Sequence, residues 1–326
     1  MPAKATLDQR IAWHREHRFH CACRPAPPAI QPYLTAPNPT PLPGRVLMVR
    51  PAAFGYNPET AASNAFQQNT HHSDAGGKAR AEFDRFVEAL REANVQVEVA
   101  EDERVPAKPD AVFPNNWVTF HEGGAAILYP MAAPVRRLEV REDWVRQLGY
   151  NQLLDLRTQA RGRFLEGTGS LVFDRANRLA FACESPRTDR KLVAEVCRHL
   201  GYEPVVFRAT LQGTPIYHTN VLMSIGQDVA VVCLEVCDEP QFVRSRLEQA
   251  SKQIIEVTPT QLEAFACNLL QLRAADGQAV WALSIRAYGA LTEEQRDGLG
   301  RVVVADLDTI ETLGGGSARC MLAELF

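Results

Sequence analysis

Cys320 closes the run Leu313-Gly-Gly-Gly-Ser-Ala-Arg319. A thiol becomes a useful nucleophile as its thiolate, in a partly exposed place with a base or donor beside it. The three glycines let the backbone come close to a ligand and adopt positive φ, and amides in such a loop can donate to a developing negative charge. His218, in Pro215-Ile-Tyr-His-Thr-Asn-Val221, titrates near neutrality and can carry protons. Glu166, in Phe164-Leu-Glu-Gly-Thr-Gly-Ser-Leu171, can accept a hydrogen bond from a bound N–H group or handle a proton. Taken singly, each also reads as a structural thiol after a turn, a satisfied histidine and a solvated glutamate. Together they form a nucleophile, base and carboxylate set for covalent attack on an electrophilic carbon.

Their spacing is what argues for taking them together. Asn116, Glu166, His218, Asn268 and Cys320 each stand just before a short apolar stretch, at successive intervals of 50, 52, 50 and 52 residues. A repeat of this length marks an array of similar units.

The elements between these positions repeat as strand, helix, strand, strand. The first unit runs through Val46–Val49, a helix over Ala79–Ala93, Val95–Val99, then Ala111–Phe113 leading into Trp117–Phe120. The second has Ala125–Tyr129, a helix near Val140–Gln147, Gln152–Leu156 and Ser170–Phe173. The third has Leu179–Cys183, a helix over Asp189–Leu200, Pro204–Phe207 and Val221–Ile225. The fourth has Val229–Leu234, a helix over Pro240–Ala250, Ile254–Val257 and Leu269–Leu272. The fifth has Ala279–Ser284, a helix over Glu293–Leu299, Val302–Val304 and Met321–Leu325. The expected fold is α/β, a five-bladed pseudo-symmetric propeller whose strand ends bring Glu166, His218 and Cys320 together. An open α/β sheet with coincidental spacing is the competing arrangement.

Residues 1–44 stand apart, with eight prolines between Pro25 and Pro43 favouring an extended segment. His14, His17, His20, Cys21 and Cys23 precede them, but the Cys-x-Cys lacks the spacing of a usual zinc site, so no metal is expected. Residues 45–326 are expected to form one catalytic domain. Of 326 residues, 46% are hydrophobic and 23% charged, and the formal net charge is −4. That balance leaves no electrostatic footprint for nucleic acid. No apolar run approaches the roughly 18 residues that would span a bilayer, and the charged N-terminus lacks a signal-peptide core. Eight dispersed cysteines suit a reducing cytosol better than a disulfide framework.

These motifs resemble those of the guanidino-modifying, or pentein, superfamily: dimethylargininase, arginine deiminase, agmatine deiminase and the amidinotransferases. The resemblance covers about residues 45–326. It is strongest to the arginine-deiminase-related citrulline-utilisation hydrolases, through Pro109-Asp-Ala-Val-Phe-Pro-Asn-Asn-Trp117, Glu166-Gly167, His218-Thr-Asn220 and Gly314-Gly-Gly-Ser-Ala-Arg-Cys320. It implies a five-bladed α/β propeller with a Cys–His–acid site, in which Cys320 is the nucleophile, His218 the general acid/base and Glu166 a holder of the substrate's nitrogen-bearing head. Ser185-Pro-Arg-Thr188 matches a segment whose arginine holds the substrate α-carboxylate in dimethylargininases, so Arg187 takes that role. Asp110 matches a substrate-contacting aspartate. The resemblance implies neither metal nor organic cofactor, and a small ureido or guanidino amino acid as the ligand.

The chain departs from its guanidine-using relatives at three places. Asn115 and Asn116 stand where they carry acids, and Asn220 stands where deiminases commonly have His-x-Asp. Carboxylates neutralise a guanidinium, a permanent cation, whereas an amide offers one donor group and one acceptor. The substitutions point to a neutral ureido head, and citrulline is the expected substrate. Arginine or dimethylarginine hydrolysis, amidino transfer, and a non-catalytic binding propeller are the alternatives.

Overall fold

The computed structural model describes residues 42–70 and 74–326. The histidines and cysteines of the N-terminal segment lie outside these residues. Five three-stranded sheets share one plan. A short strand pairs antiparallel with a central strand, and the central strand leads through helical chain to a third strand that pairs with it in parallel.

In sequence order the strand triples are Val118–His121, Ala125–Leu128 and Gln152–Asp155; Val172–Asp174, Leu179–Cys183 and Glu203–Phe207; Met223–Ile225, Val229–Val232 and Gln253–Glu256; and Leu270–Arg273, Ala279–Ser284 and Val302–Ala305. The fifth sheet joins the two ends of the repeat. Arg45–Arg50 pairs in parallel with Gln96–Glu101 and antiparallel with Ala323–Leu325, in the register Arg45 opposite Leu325. Neighbouring sheets touch through their first strands: Val118–His121 meets Ala323–Leu325, and Met223–Ile225 meets both Val172–Asp174 and Leu270–Arg273.

Thus the sheets straddle the sequence units. The last strand of one unit turns back onto the first strand of the next, because a few residues suffice for an antiparallel hairpin while a parallel partner needs a crossover. A single open sheet is not what the chain builds.

The helices follow from periodicity and caps. In Arg190–Leu200 the buried residues Leu192, Val193, Val196, Cys197 and Leu200 form one face. Asp189 caps its start by accepting from the Lys191 and Leu192 N–H groups, and Gly201 ends it at φ 69°. Burying the three aliphatic side chains Leu192, Val196 and Leu200 contributes ~1.5–3 kcal/mol each. A reciprocal Thr292–Gln295 capping box starts Glu293–Leu299.

Two kinds of expected element come out differently. Ala111–Phe113 is a turn closed by local bonds, Ala111 N–H to the Lys108 carbonyl and Phe113 N–H to the Asp110 carbonyl. Pro114 then opens the 3-10 turn Pro114–Asn116, as its fixed φ favours. The final strands of the second, third and fifth units also start later than expected. Gly167–Ser170, Thr219–Leu222 and Ala318–Met321 are single helical turns ahead of them, and those turns carry the chemistry-bearing residues.

Candidate functional site

The repeat positions share one structural setting. Asn116 ends the turn Pro114–Asn116, Glu166 and His218 immediately precede the turns Gly167–Ser170 and Thr219–Leu222, and Cys320 lies within Ala318–Met321. Asn268 is separated from the strand Leu270–Arg273 by Leu269 alone. The turns brace one another. Ser170 Oγ accepts from the Glu166 N–H at 2.9 Å and bonds the Arg187 carbonyl at 3.1 Å, while Thr219 Oγ1 donates to the Ser170 carbonyl at 2.6 Å.

They surround a small cavity whose lining includes Asp110, Asn116, Arg136, Arg187, His218 and Cys320. Gly315 is needed in its wall. It ends the helix Asp308–Gly314 at φ 63°, and its carbonyl accepts from Tyr217 Oη at 2.9 Å and Asn64 Nδ2 at 3.1 Å. A Cβ there would stand 2.5 Å from Asn64 Nδ2.

Glu166 is fully buried beneath this lining. Its Oε1 accepts from the Ala132 N–H at 2.9 Å, and its Oε2 lies 2.8 Å from His218 Nε2 and 3.6 Å from Arg187 Nη1. Burial alone would push its carboxyl up, but Arg187, the His218 hydrogen bond and Arg136 outweigh that and hold it down at about 2. Burial lowers His218 to about 4, with the Glu166 bond opposing only in part. At neutral pH the pair is therefore a carboxylate beside a neutral imidazole. A carboxylate can only accept, so Nε2 carries the proton and Nδ1 is left as the base. The absence of a Cβ at Gly169 makes room, since one would come within 2.6 Å of His218 Nδ1 and 2.5 Å of Asn116 Nδ2.

Arg187 is buried and not a solvent-facing helix-start residue. Its guanidinium bonds Ser63 Oγ at 2.7 and 2.9 Å and the Thr60 carbonyl at 2.8 Å, and it stacks over Tyr217 at 4.8 Å. Asp110 Oδ2 accepts from Asn57 Nδ2 at 2.7 Å and Thr60 Oγ1 at 3.2 Å. Burial raises its carboxyl, and Arg136 opposes. Asn116 Oδ1 accepts from Arg136 Nη1 at 2.7 Å. Because an arginine can only donate, that bond fixes which end of the Asn116 amide faces it.

The expected residues therefore fall into three groups. Cys320, His218, Asn116, Asp110 and Arg187 line the cavity. Asn220 is under the thiol, with Nδ2 3.5 Å from Cys320 Sγ. Glu166 and Asn115 do not line it. Glu166, expected to hold the substrate's nitrogen-bearing head, is bonded through Oε2 to His218 Nε2 at 2.8 Å. Asn115 turns its amide to Thr168 Oγ1 at 3.2 Å.

Sequence reasoning passed over Arg136, which lines the cavity and pairs through two bonds with Glu139 at 2.8 and 2.9 Å. It also passed over the segment from Asn57 to Asn64. That segment carried a signal, since Asn57-Pro58 is a helix start with the cap residue ahead of proline. Asn268 stood at a repeat position but was given no role, although its Nδ2 is 3.4 Å from Cys320 Sγ. Cys267 and Trp117 are fully buried core residues. Among the described residues no group of three or more His, Cys, Asp or Glu is placed to hold a metal ion, and no helix is long and apolar enough to cross a membrane.

Residues 50–326 match the family model described as N,N dimethylarginine dimethylhydrolase, eukaryotic. No curated protein matches the chain in sequence. The structure is similar to the N-terminal domain of ArgZ holding a covalently bound reaction intermediate, with TM-score 0.70 and 18% identity over 86% of this chain and 97% of that one. Full-length ArgZ, an arginine dihydrolase from the ornithine–ammonia cycle in cyanobacteria, is matched over 40% of its chain. AgrE in complex with ornithine and NAD+ gives TM-score 0.71 and 18% identity over 86% of this chain and 39% of that one. A dimethylarginine dimethylaminohydrolase adduct with S-methyl-L-thiocitrulline gives 0.61 and 17% over 86% and 98%. At these identities the solved structures show a shared fold, and the chain spans about two fifths of full-length ArgZ and AgrE. The match along residues 50–326 places this chain in the N,N-dimethylarginine dimethylhydrolase family, within the pentein superfamily of guanidino-modifying enzymes.

Proposed function

We propose that this chain is a cysteine-dependent hydrolase of the C–N bonds of a ureido or guanidino amino acid, with citrulline as its substrate. Residues 45–326 form the catalytic domain, with the five sheets set as blades around the site, in a protein of the reducing cytosol. The six described cysteines are unpaired, consistent with that setting.

One observation carries the choice of head group. Around the cavity, buried polar atoms of both senses lack a partner: Asn116 Nδ2, a donor, and Asp110 Oδ1 and Asn220 Oδ1, both acceptors. Buried polar groups are normally paired, so these atoms are the ones free to meet a substrate. A ureido group offers a carbonyl to Asn116 and N–H groups to the acceptors. A guanidinium offers only donors and would leave Asn116 Nδ2 unmatched, because Arg136 holds the other end of that amide.

In the reaction, Cys320 Sγ attacks the ureido carbon and His218 Nδ1 takes the thiol proton. Glu166 stabilises the imidazolium so formed. The C–N bond to the δ-nitrogen breaks, that nitrogen takes the proton from His218, and ornithine departs, leaving a carbamoyl thioester on Cys320. Water, deprotonated by His218, attacks the thioester carbon. The thiolate leaves and recovers the proton, and carbamic acid falls apart to ammonia and carbon dioxide. Arg187 and Arg136 are the candidate partners for the substrate α-carboxylate.

Arginine is the second reading, supported by ArgZ being an arginine dihydrolase: hydrolysing a guanidino group twice passes through a ureido compound. Initial rates of ornithine release from citrulline, arginine and dimethylarginine separate the readings. The proposal expects citrulline to be turned over fastest. Robust turnover of arginine or dimethylarginine with none of citrulline overturns it.

A further inference from the structure

The partners of Cys320 are all neutral amides. Asn268 Nδ2 lies 3.4 Å and Asn220 Nδ2 3.5 Å from the sulfur, and both asparagines are fully buried. Their presentation is fixed. Asn268 Oδ1 accepts from the Arg319 N–H at 3.1 Å, and Asn268 Nδ2 also donates to the Asn220 carbonyl at 2.9 Å. Flipping that amide would set donor against donor and acceptor against acceptor. The thiol can in turn donate to Asn268 Oδ1 at 3.6 Å. Asn268 thus serves both states of the sulfur, accepting from S–H and donating to S⁻, while the Arg319 N–H keeps its oxygen paired once the proton has gone.

The usual partner of a catalytic thiolate is an imidazolium, and here the imidazole is engaged elsewhere. His218 Nε2 is held by Glu166 at 2.8 Å, and burial keeps the ring neutral at working pH. The other titratable groups facing the sulfur across the cavity are Tyr217, Asp110, Arg136 and Arg187. Burial raises Tyr217 far above neutrality. Asp110 lies 3.7 Å from Arg136, and Arg187 is bonded to Ser63 and Thr60. The Arg319 guanidinium is bonded to the Leu322 carbonyl and Glu324.

Taking Cys320 as the nucleophile of the proposed hydrolase, we infer that Asn268 is a further catalytic residue, which with Asn220 forms an amide cradle that stabilises the Cys320 thiolate in place of a histidinium. A neutral substrate brings no cation to assist ionisation of the thiol, so the protein itself must supply the donors.

The test is the rate of Cys320 alkylation by iodoacetamide, read at the Cys320 peptide by mass spectrometry, with no substrate present. The five other described thiols are buried and pushed up, Cys183, Cys197 and Cys237 to about 12 and Cys233 to about 11, so their peptides serve as internal controls. Replacing one hydrogen bond to a charged group by a like charge is expected to slow alkylation at neutral pH ~10- to 100-fold in Asn268→Asp. Raising the pH is expected to return that rate toward wild type, which a purely structural lesion would not do. Asn220→Asp, acting from the other side of the sulfur, is expected to behave alike and serves if Asn268→Asp fails to fold. His218→Ala is expected to cut turnover ~10²- to 10⁴-fold yet alkylate within about twofold of wild type. Wild-type alkylation rates in the folded asparagine variants, or an equal loss in His218→Ala, overturn the inference. Failure of citrulline turnover in the wild-type protein would overturn the proposed function and leave this result standing.

Discussion

The two sides of the cavity are built from different materials. On the His218 side the groups are charged: Glu166 lies 2.8 Å from His218 and 3.6 Å from Arg187, and Arg136 pairs with Glu139 at 2.8 Å and with Asp110 at 3.7 Å. Around Cys320 they are amides, Asn220 and Asn268. At rest the charged side holds a neutral imidazole whose Nε2 proton is committed to Glu166 and whose Nδ1 is left to accept. The amide side meets a sulfur that, in the proposed reaction, gains and loses a proton in each cycle. A permanent charge beside the sulfur would favour one of those states; an amide accommodates both.

Removing either side should expose the contrast, with the nucleophile giving the largest effect. Cys320→Ser is expected to lower kcat by a factor on the order of 10⁴ or more while retaining substrate binding, as initial rates and isothermal calorimetry would show. His218→Ala should cost kcat ~10²- to 10⁴-fold through loss of proton transfer, with KM little changed. Retained turnover there would mean that another group moves the proton.

Asn116→Asp sharpens the comparison by carrying charge across the cavity. It keeps an acceptor for Arg136 but removes the donor to a ureido carbonyl. Loss of that hydrogen bond is expected to cost citrulline kcat/KM about tenfold, while arginine is favoured relative to it. An unchanged citrulline to arginine ratio would show that Asn116 does not read the head group.

The smallest expected effect is in pH dependence. Because burial lowers His218 to about 4, the acid limb of kcat/KM should fall near that value, well below an ordinary histidine. The stability effect has the same sign. Both His218 and Glu166 bind protons less readily folded than unfolded, so the unfolded chain takes up more as the pH falls. Stability is lost between about 6.5 and 4 through His218, and between about 4.5 and 2 through Glu166. Thermal melts of wild type and His218→Gln across this range check it, and the variant should show a flatter profile between 6.5 and 4.

The contrast between the two sides was only half legible in the sequence. Cys320, His218 and Glu166 announce themselves by residue type and by a spacing that recurs along the chain. The helix Arg190–Leu200 was legible from its apolar period and its cap, both local properties. Arg136 had no comparable signal. It belongs to a 3-10 turn without an apolar period, and its place in the site depends on contacts with Asn116 and Asp110, which are distant in sequence. The standing of Asn268 was hidden for a related reason: it bonds the sulfur of a residue 52 positions on and the backbone of its neighbour Arg319. The start of each last strand was misplaced because a single helical turn has too few residues to establish a period, so apolar Val221 and Leu222 read as strand although they belong to Thr219–Leu222.

The central claim is that Cys320 takes up the carbamoyl group of a ureido substrate. Acid quenching during turnover of citrulline, followed by peptide mass spectrometry, reads this directly. The account predicts a single carbamoyl group on the Cys320 peptide, absent in Cys320→Ser. An unmodified Cys320 during demonstrable citrulline turnover, or an amidino adduct formed only from arginine, would contradict it.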